Sequence, residues 1–218
     1  MPNILTAKIA APKLPAPLTP IEASLLIAGA RLSKFELKDI NLNKSTARGV
    51  DISQATLERV ELDSAKLTKL LANDVLFNKC GLANVDCSES SFIRCEFADG
   101  RMTGWDANMT SFEDMVFKGC KLDMANFRAC KLVRVRFSDC ILTEADFIGA
   151  EMEDVDFEDC QLEKAQFSQC KMKNVDFRSS DLAEISGWQS LKGATIDSVQ
   201  LTAAAPYLAT ELGIEVED

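Results

Sequence analysis

The stretch ANFRA CKLVR VRFSD CILTE ADFIG AEMED VDFED, residues 125–159, decides the fold because it divides into pentads without a gap. The third residue of every pentad is Phe, Leu or Met, the first is Ala, Cys or Val, and neither position is charged. A five-residue period matches neither the 3.6-residue turn of a helix nor a long strand that alternates every two residues. The two apolar positions lie two residues apart, so each pentad predicts a short extended segment that points both side chains inward.

The same register continues from Leu32 to Leu182, over most of the chain. Neither apolar position carries a charge anywhere in this range, although 27% of all residues are charged. Both positions are therefore expected to face away from water. The large position holds Leu, Phe, Met or Ile throughout, with four exceptions: Ala47, Ala72, Cys87 and Ala107.

Residue types also recur every twenty positions. Phe occupies positions 77, 97, 117, 137, 157 and 177, and Cys occupies positions 120, 140 and 160. Four pentads therefore complete one square turn, in which like side chains stack along the axis. The predicted core ladder consists of Phe97, Phe117, Phe137, Phe157 and Phe177 in one file, with Phe127, Phe147 and Phe167 in a second.

Pentads such as Ala145-Asp146-Phe147-Ile148-Gly149 and Val155-Asp156-Phe157-Glu158-Asp159 carry a small residue, a polar residue, a large apolar residue and two further residues. This pattern resembles the motif of the pentapeptide repeat family over roughly residues 30–185. The resemblance implies an all-β solenoid, namely a right-handed quadrilateral β-helix. It implies little about function, because fold does not fix function.

The chain is expected to divide into an N-terminal arm and capping helix (1–29), the pentapeptide-repeat β-helix (30–185), and a last partial coil with a C-terminal helical cap (186–218). Thr19-Pro20-Ile21-Glu22 has the form of a capping box and predicts a short helix over residues 20–28, after a proline-rich arm. Caps are expected because an open β-helix end is an unpaired edge.

After Leu182 the spacing shifts by one residue, so that Leu191, Ile196 and Leu201 continue the five-residue period. Asp197 is expected to cap a helical stretch that follows this last partial coil. Pro206 fits the first turn of a second helical segment, which would end at Gly213.

Two pairs depart from the motif in a complementary way. Trp105 stands at a small position beside Ala107 at the large one, and Leu70 stands in the same way beside Ala72. An exchange of volume within each pair would keep the interior filled. A local bulge of the backbone accounts for the same pattern equally well.

The eight cysteines all fall on inward positions, seven in the small series and Cys87 in the large one. Buried cysteine behaves as a small apolar side chain, so we interpret these residues as structural and as free thiols. Cys120, Cys140 and Cys160 are expected to stack one coil apart. A line of soft-metal ligands and a redox role are the two alternatives.

Composition excludes several kinds of chemistry. The chain has no histidine, which removes imidazole bases and His-ligated metals, and it contains no phosphate-cradling glycine motif. The formal net charge of −10 disfavours direct nucleic-acid binding, and no apolar run approaches the length of a transmembrane helix. We therefore expect a cytoplasmic protein that is not an enzyme, has no metal or cofactor, and contacts no membrane.

After these exclusions, we expect the outer surface of the rod to carry the function of the chain. Two adjacent sides of the predicted rod carry a negative charge, which either aids solubility or serves recognition. Resemblance to the quinolone-resistance subset of the family implies DNA mimicry toward DNA gyrase or topoisomerase IV, although this chain adds an N-terminal arm and shows no inserted loop. The acidic residues are Asp139, Asp156, Glu158, Asp159 and Asp176 on one side, with Asp123, Glu144, Glu163, Asp181 and Glu184 on the next.

Two hypotheses follow for the role of the chain. The first is a protein-interaction scaffold, and the second is a modulator of a type II topoisomerase. Dimerisation through C-terminal helices is implied by the same family subset. We expect a homodimer whose interface contains the apolar residues Leu201, Tyr207, Leu208 and Leu212.

Overall fold

Six strands of eight residues each recur every twenty residues in the computed structural model, which describes residues 8–216. The strands are β1 (Thr19–Pro20), β2 (Arg31–Ser33), β3 (Phe35–Lys38), β4 (Asp51–Glu58), β5 (Leu71–Asn78), β6 (Ser91–Ala98), β7 (Ser111–Lys118), β8 (Lys131–Ser138), β9 (Glu151–Glu158), β10 (Lys171–Asp176) and β11 (Ala194–Thr195). Short 3₁₀ helices cover Ala23–Leu25 and Trp188–Ser190, and one α-helix, α1, covers Ser198–Leu212.

All of these strands form one parallel sheet in which each long strand pairs with the strand one coil later. Phe117 lies opposite Phe97 in one neighbour and opposite Phe137 in the other, a step of twenty residues. Isolated bridges such as Asn41 to Glu61 and Thr46 to Lys66 repeat the same step on the remaining sides. The structure thus confirms a β-solenoid with four pentads in each turn.

The corners of the coil need a left-handed backbone. Every fifth residue from Lys34 to Glu184 has a positive φ, including non-glycine residues such as Ala129 (φ 51°) and Arg134 (φ 54°). L-residues reach this region at a cost of about 1–2 kcal/mol each. Hydrogen bonds between coils offset part of that cost; for example, the Ala129 amide donates to the Ile148 carbonyl at 3.0 Å.

Two files of phenylalanine rings fill the interior. Within the first file, the rings of Phe117 and Phe137 are nearly parallel with centroids 4.8 Å apart, and the same holds for Phe127 and Phe147 in the second. Rings from different files meet almost at right angles, as at Phe137 and Phe147 (85°). All rings of the predicted core ladder are buried. This herringbone arrangement combines stacked and edge-to-face contacts, both of which stabilise aromatic pairs.

The two departures from the motif are exchanges of volume. Trp105 and Ala107 are both fully buried, and the indole lies 5.9 Å from the rings of Phe92 and Phe127. The backbone bridge at Asp106 keeps the twenty-residue step on both sides, so no bulge is present there. Leu70 and Ala72 are likewise buried, and the neighbouring strand pairing continues in register.

The predicted helix over residues 20–28 is wrong. Thr19 and Pro20 form β1, and only Ala23–Leu25 adopt a single 3₁₀ turn. The reason is the open edge of the first coil: the amides of Thr19 and Ile21 donate to the carbonyls of Lys34 and Glu36, each at 3.2 Å. The preceding arm forms no helix or strand between residues 8 and 18 and bends at Ala16 and Pro17, and residues 1–7 lie outside the described part of the chain.

At the other end, β11 pairs Ala194 with Val175, a step of nineteen residues that reproduces the predicted shift of register by one. Asp197 caps α1 and receives the amide protons of Val199 and Gln200. The expectation of two helical segments is wrong because α1 continues through Pro206, which lies exposed where the freed carbonyl of the preceding turn can meet water. Leu201 lies in α1 and does not extend the coil.

Helix α1 lies across the end of the solenoid. The side-chain amide of Gln200 donates to the carbonyls of Phe177 and Ser180, both at 2.7 Å, and these carbonyls belong to the last coil. Eleven residues later, Glu211 accepts the amide protons of Gly187 and Trp188. Within residues 8–216, none of the helices is long and apolar enough to cross a membrane.

Candidate functional site

The interior of the coil is occupied by its own side chains, so the functional groups of the chain are on its outside. The cysteines show this most clearly. All eight are buried and free, and burial raises the pKa of the Cys87 thiol to about 12. A thiol with so high a pKa stays protonated at neutral pH and is a poor nucleophile or metal ligand. Among the residues described, no group of three or more His, Cys, Asp or Glu side chains is arranged to hold a metal ion.

The thiols instead complete the hydrogen bonding of the coil. The Cys140 thiol donates to the Phe117 carbonyl at 3.4 Å, and the Cys160 thiol donates to the Phe137 carbonyl at 3.5 Å, each twenty-three residues back. Ser180 makes the equivalent bond with its hydroxyl, to the Phe157 carbonyl at 2.9 Å. The inward cysteines are therefore exchangeable with small hydroxyl residues, which supports a structural role for them.

The first acidic side is smaller than the sequence predicts. Asp156 and Asp176 are buried, and they pair with Arg136 at 3.1 Å and with Arg178 at 2.6 Å. Burial raises the pKa of Asp156, although the nearby guanidinium of Arg136 opposes that shift. These two carboxylates are not part of an exposed patch, because each lies close to the wall of the coil beneath an arginine side chain.

Asp139, Glu158 and Asp159 remain exposed at one corner of that side. None of the three is among the ion pairs found between residues 8 and 216. The Asp139 amide donates to the Glu158 carbonyl at 3.0 Å, which holds successive coils in register at this corner. We call these three residues the acidic corner; its carboxylates are free to meet a cationic partner.

The second acidic side is mixed in charge. Lys164 lies 3.2 Å from Glu163 and 3.8 Å from Glu184, and so neutralises part of this side. The Thr103 hydroxyl donates to Asp123. Of the predicted residues, Glu144, Asp181 and Glu184 are exposed, and Asp123 and Glu163 are half-buried.

The residues predicted for dimerisation fall into two groups. Leu201 and Leu212 are 52% and 63% exposed, and Tyr207 is 39% exposed. Leu208 differs from them, because it is half-buried and packs against the hydrophobic core of the solenoid. Leu201 and Leu212 are eleven residues apart, which places them on one stripe of the helix. Val199, Ile214 and Val216 are further exposed apolar residues near this end of the chain and were not singled out from the sequence.

A further site involves the N-terminal arm, and the sequence did not predict it. The Ala10 amide donates to Asp114 at 3.2 Å, and the Lys13 amide donates to Asp74 at 2.9 Å. The arginine one coil later donates two hydrogen bonds to each carboxylate. Arg94 donates to Asp74, and Arg134 donates to Asp114. The pKa of each aspartate is lowered, mainly by its arginine and further by the arm amide. The alternation of Asp and Arg every twenty residues was the available signal.

Comparison with known proteins agrees with this architecture. Residues 110–186 match the family model of the pentapeptide repeat region. This match covers about a third of the chain, and the coils that precede it keep the same twenty-residue step. A search of curated proteins returns no match for this sequence.

Two solved structures are similar to this chain. HetL, a pentapeptide repeat protein involved in heterocyst differentiation regulation from the cyanobacterium Nostoc sp. strain PCC 7120, is 18% identical, with a TM-score of 0.50 over 77% of this chain and 90% of that one. QnrB1, a plasmid-mediated fluoroquinolone resistance protein, is 19% identical, with a TM-score of 0.44 over 91% of this chain and 96% of that one. The likeness to HetL shows the fold alone.

Three surfaces of the chain are thus candidates for binding a partner. They are the acidic corner, the apolar stripe of α1, and the column of aspartate and arginine side chains under the arm. The acidic corner and the column consist of charged side chains, and the stripe lies on the exposed side of a helix. Small-molecule sites are concave and mostly apolar, so surfaces of this kind suit a macromolecular partner better.

Proposed function

We propose that this pentapeptide repeat protein is a non-enzymatic rod that acts as a protein-interaction scaffold. The observation that carries the proposal is that inward positions along the coil are filled by packed side chains, so that the outside alone offers chemistry. Coils in fixed register hold outward side chains in straight rows at about 4.8 Å intervals. A rigid row of side chains can recognise another protein without any change in its own shape.

The surface depressions support the absence of enzyme chemistry. One of about 430 Å³ lies beside the C-terminal helix and contains a single titratable side chain, Glu211. That carboxylate already accepts the amide protons of Gly187 and Trp188, so it is engaged in holding the cap. Another of about 370 Å³ is lined by Asp156 and Asp176, whose charges are paired with arginine, and by Glu158 and Asp159, which lie exposed to water at the acidic corner. General acid and base catalysis needs groups with free protons or lone pairs near a substrate site.

We further propose that the protein forms homodimers through α1 and works in the cytoplasm. The free apolar stripe containing Leu201 and Leu212 supports dimerisation, since exposed apolar patches often mark interfaces. Eight free thiols suit a reducing compartment.

The experiment for the scaffold proposal is affinity capture with the full-length chain, using extract of the cells that produce it. Wild type is compared with charge reversal at the acidic corner (Asp139→Lys, Glu158→Lys and Asp159→Lys) and with matched reversal on the second side (Glu144→Lys and Glu184→Lys). We expect at least one protein to be retained by wild type and lost from only one of the two variants. Retention of the same proteins by all three forms, or of none, contradicts a partner that reads these surfaces.

A second candidate function is DNA mimicry toward a type II topoisomerase. The acidic corner favours it, because its carboxylates recur at coil spacing on a rod and are not neutralised by lysine or arginine in the described structure. DNA likewise presents regularly spaced negative charges along a rod. The assay is supercoiling by DNA gyrase with and without a quinolone. The control variant is Glu151→Gln, which removes a carboxylate already paired with Lys171.

We expect wild type to inhibit supercoiling or to protect it from the quinolone at micromolar concentration. Asp139→Asn, Glu158→Gln and Asp159→Asn together should remove that effect, and the control should retain it. An absence of any effect from wild type rejects DNA mimicry and leaves the scaffold proposal standing.

A further inference from the structure

The column of outward side chains under the N-terminal arm repeats every forty residues. Along one corner it runs Asp74, Arg94, Asp114 and Arg134, with one residue from each coil. Each arginine binds the aspartate one coil earlier through both of its carboxylate oxygens, at 2.7–3.0 Å. The side chains of Asp74 and Asp114 are only 10% and 11% exposed. We call these four residues the Asp-Arg column.

The spacing of this column matches an extended peptide. Asp74 and Asp114 are two coils apart, which corresponds to about 9.6 Å along the axis. Three residues of polyproline II rise about 9.3 Å. The arm has this spacing, because the two amides that reach the aspartates belong to Ala10 and Lys13, which are three residues apart. The arm therefore runs along the axis of the rod and across the strands, and it does not add a strand to the sheet.

The composition of the arm also fits the column. Its residues Lys8 to Leu18 contain no acidic side chain and include three prolines, which favour the extended form and lower the entropic cost of ordering. The chain as a whole carries a net charge of −10, so a neutral or basic segment is favoured there. The Gln54 side-chain amide adds a contact at 3.5 Å to the Lys13 carbonyl.

Outward apolar residues lie beside the column in the coils that the arm covers. Leu76 and Val116 lie in one row with Glu96 between them, and the row continues with the charged residues Arg136, Asp156 and Asp176. A groove of about 390 Å³ opens between the arm and the coil, and its lining on the coil side includes Val116 together with the charged residues Glu96, Asp114 and Arg136. Apolar contact next to paired charges is a usual basis for peptide recognition.

We propose that the Asp-Arg column is a binding site for an extended, proline-spaced, neutral or basic segment of a partner protein, which binds in place of the arm. This deepens the scaffold proposal and rests on it. Few hydrogen bonds hold the arm between residues 8 and 18, so an intermolecular segment with the same amide spacing can replace it. The arm then acts as an internal competitor that sets how much partner is bound.

The experiment uses the full-length chain with Ala10→Pro and Lys13→Pro. Proline keeps the extended backbone but has no amide proton, so this variant loses both arm hydrogen bonds and leaves the Asp-Arg column intact. The matched control is Ala11→Pro, because the Ala11 amide makes none of the hydrogen bonds found between the arm and the coil in residues 8–216. The probe is a fluorescein-labelled peptide with the sequence of residues 8–18, and binding is followed by fluorescence anisotropy.

We expect the double-proline variant to bind the probe at least tenfold more tightly than wild type or the Ala11→Pro control. Addition of Asp114→Ala to the double-proline variant should weaken binding at least tenfold, and Asp139→Ala, at the acidic corner, should not. A probe whose Ala10 and Lys13 amides are N-methylated should bind no better to the double-proline variant than to wild type. Circular dichroism and thermal unfolding confirm that each variant is folded.

Equal and weak binding by the folded double-proline variant and wild type overturns the proposal, and it leaves the scaffold proposal to the capture experiment. A second outcome also overturns it: a wild-type dimer that becomes monomeric in the double-proline variant shows that the occupant is the arm of a second copy. Light scattering of the two proteins at equal concentration distinguishes these outcomes.

Discussion

Trp105 fills the interior volume that Ala107, two residues later, leaves open, and both side chains are fully buried. The pair reverses the usual order of small and large residues without disturbing the step of the coil. Volume is therefore the quantity that the interior conserves, and the identity of the residue at each site is secondary.

This relationship predicts strong coupling between the two sites. Trp105→Val should cost about 3–5 kcal/mol in the free energy of unfolding, and Ala107→Leu alone about 1–3 kcal/mol through overpacking. The double variant restores the common motif and should be clearly more stable than the sum of the single effects predicts. Urea denaturation in a double-mutant cycle measures the coupling, and strict additivity would contradict it.

A second prediction concerns the ring files. Phe137 stacks between Phe117 and Phe157 with centroids 4.8 and 5.0 Å away. Phe137→Ala should therefore lower the free energy of unfolding by about 3–5 kcal/mol. Phe137→Leu restores much of the lost volume and should cost clearly less. Chemical denaturation compares both with wild type, and a near-neutral alanine variant would argue against the packed interior.

A third prediction addresses the left-handed corners. Ala129 has φ 51°, and Gly149, at a corner of the next coil, has φ 71° with open space around the position of a Cβ. Ala129→Gly should stabilise the protein by about 0.5–1 kcal/mol, because glycine reaches this conformation without steric cost. Gly149→Ala should destabilise it by a similar amount. Thermal unfolding shows the two opposite shifts, and shifts of the same sign would refute this account.

A fourth prediction concerns acid stability. The pKa of Asp74 in the folded protein lies below the ordinary 3.8, chiefly because Arg94 donates to the carboxylate. A depressed pKa stabilises the folded state above the unfolded-state pKa, and this contribution is lost as the pH falls through the folded-state value. Asp74→Asn should therefore lower stability by a constant amount above about pH 4, with the gap to wild type closing below it. Urea midpoints between pH 2.5 and 7 provide the measurement, and a gap that widens in acid would contradict the assignment.

The fifth prediction separates docking of α1 from dimerisation. Leu201→Asp with Leu212→Asp should give monomers in light scattering with little change in thermal stability, since both side chains are exposed. Leu208→Asp should lower the melting temperature because Leu208 packs on the core. A wild-type protein that is monomeric at micromolar concentration would refute the dimer proposal.

Much of the fold follows from the sequence because the interior of each coil repeats the same two inward positions. The Phe137 file and the step at Val175 are both visible as spacing alone. The structure of the termini was harder to predict. The residues after Thr19 pair with an open strand edge instead of forming the expected short helix, and that edge exists only once the first coil has formed. The ion-pair partners of the outward side chains were harder still to predict. Nothing in the local sequence distinguishes Asp156, which is covered by an arginine, from the exposed Asp159.

The arm site was not predicted, because Ala10 and Asp114 are 104 residues apart and meet through backbone and side-chain atoms. A proline-rich arm signals extension, but not the surface on which it rests. The alternation of Asp and Arg is readable only after residues are assigned to coils.

The forty-residue repeat of the Asp-Arg column has a consequence for how such rods can lengthen or shorten. The arm is fixed to the first coil at Thr19. Loss or gain of one coil between that point and Asp74 therefore shifts the column by one place beneath the arm and brings an arginine under an arm amide that needs an aspartate. Changes of two coils keep acceptor and donor matched. Descendants of this chain that retain a docked arm should therefore differ by even numbers of coils between the first coil and the Asp-Arg column, whereas coils beyond Arg134 are free to vary.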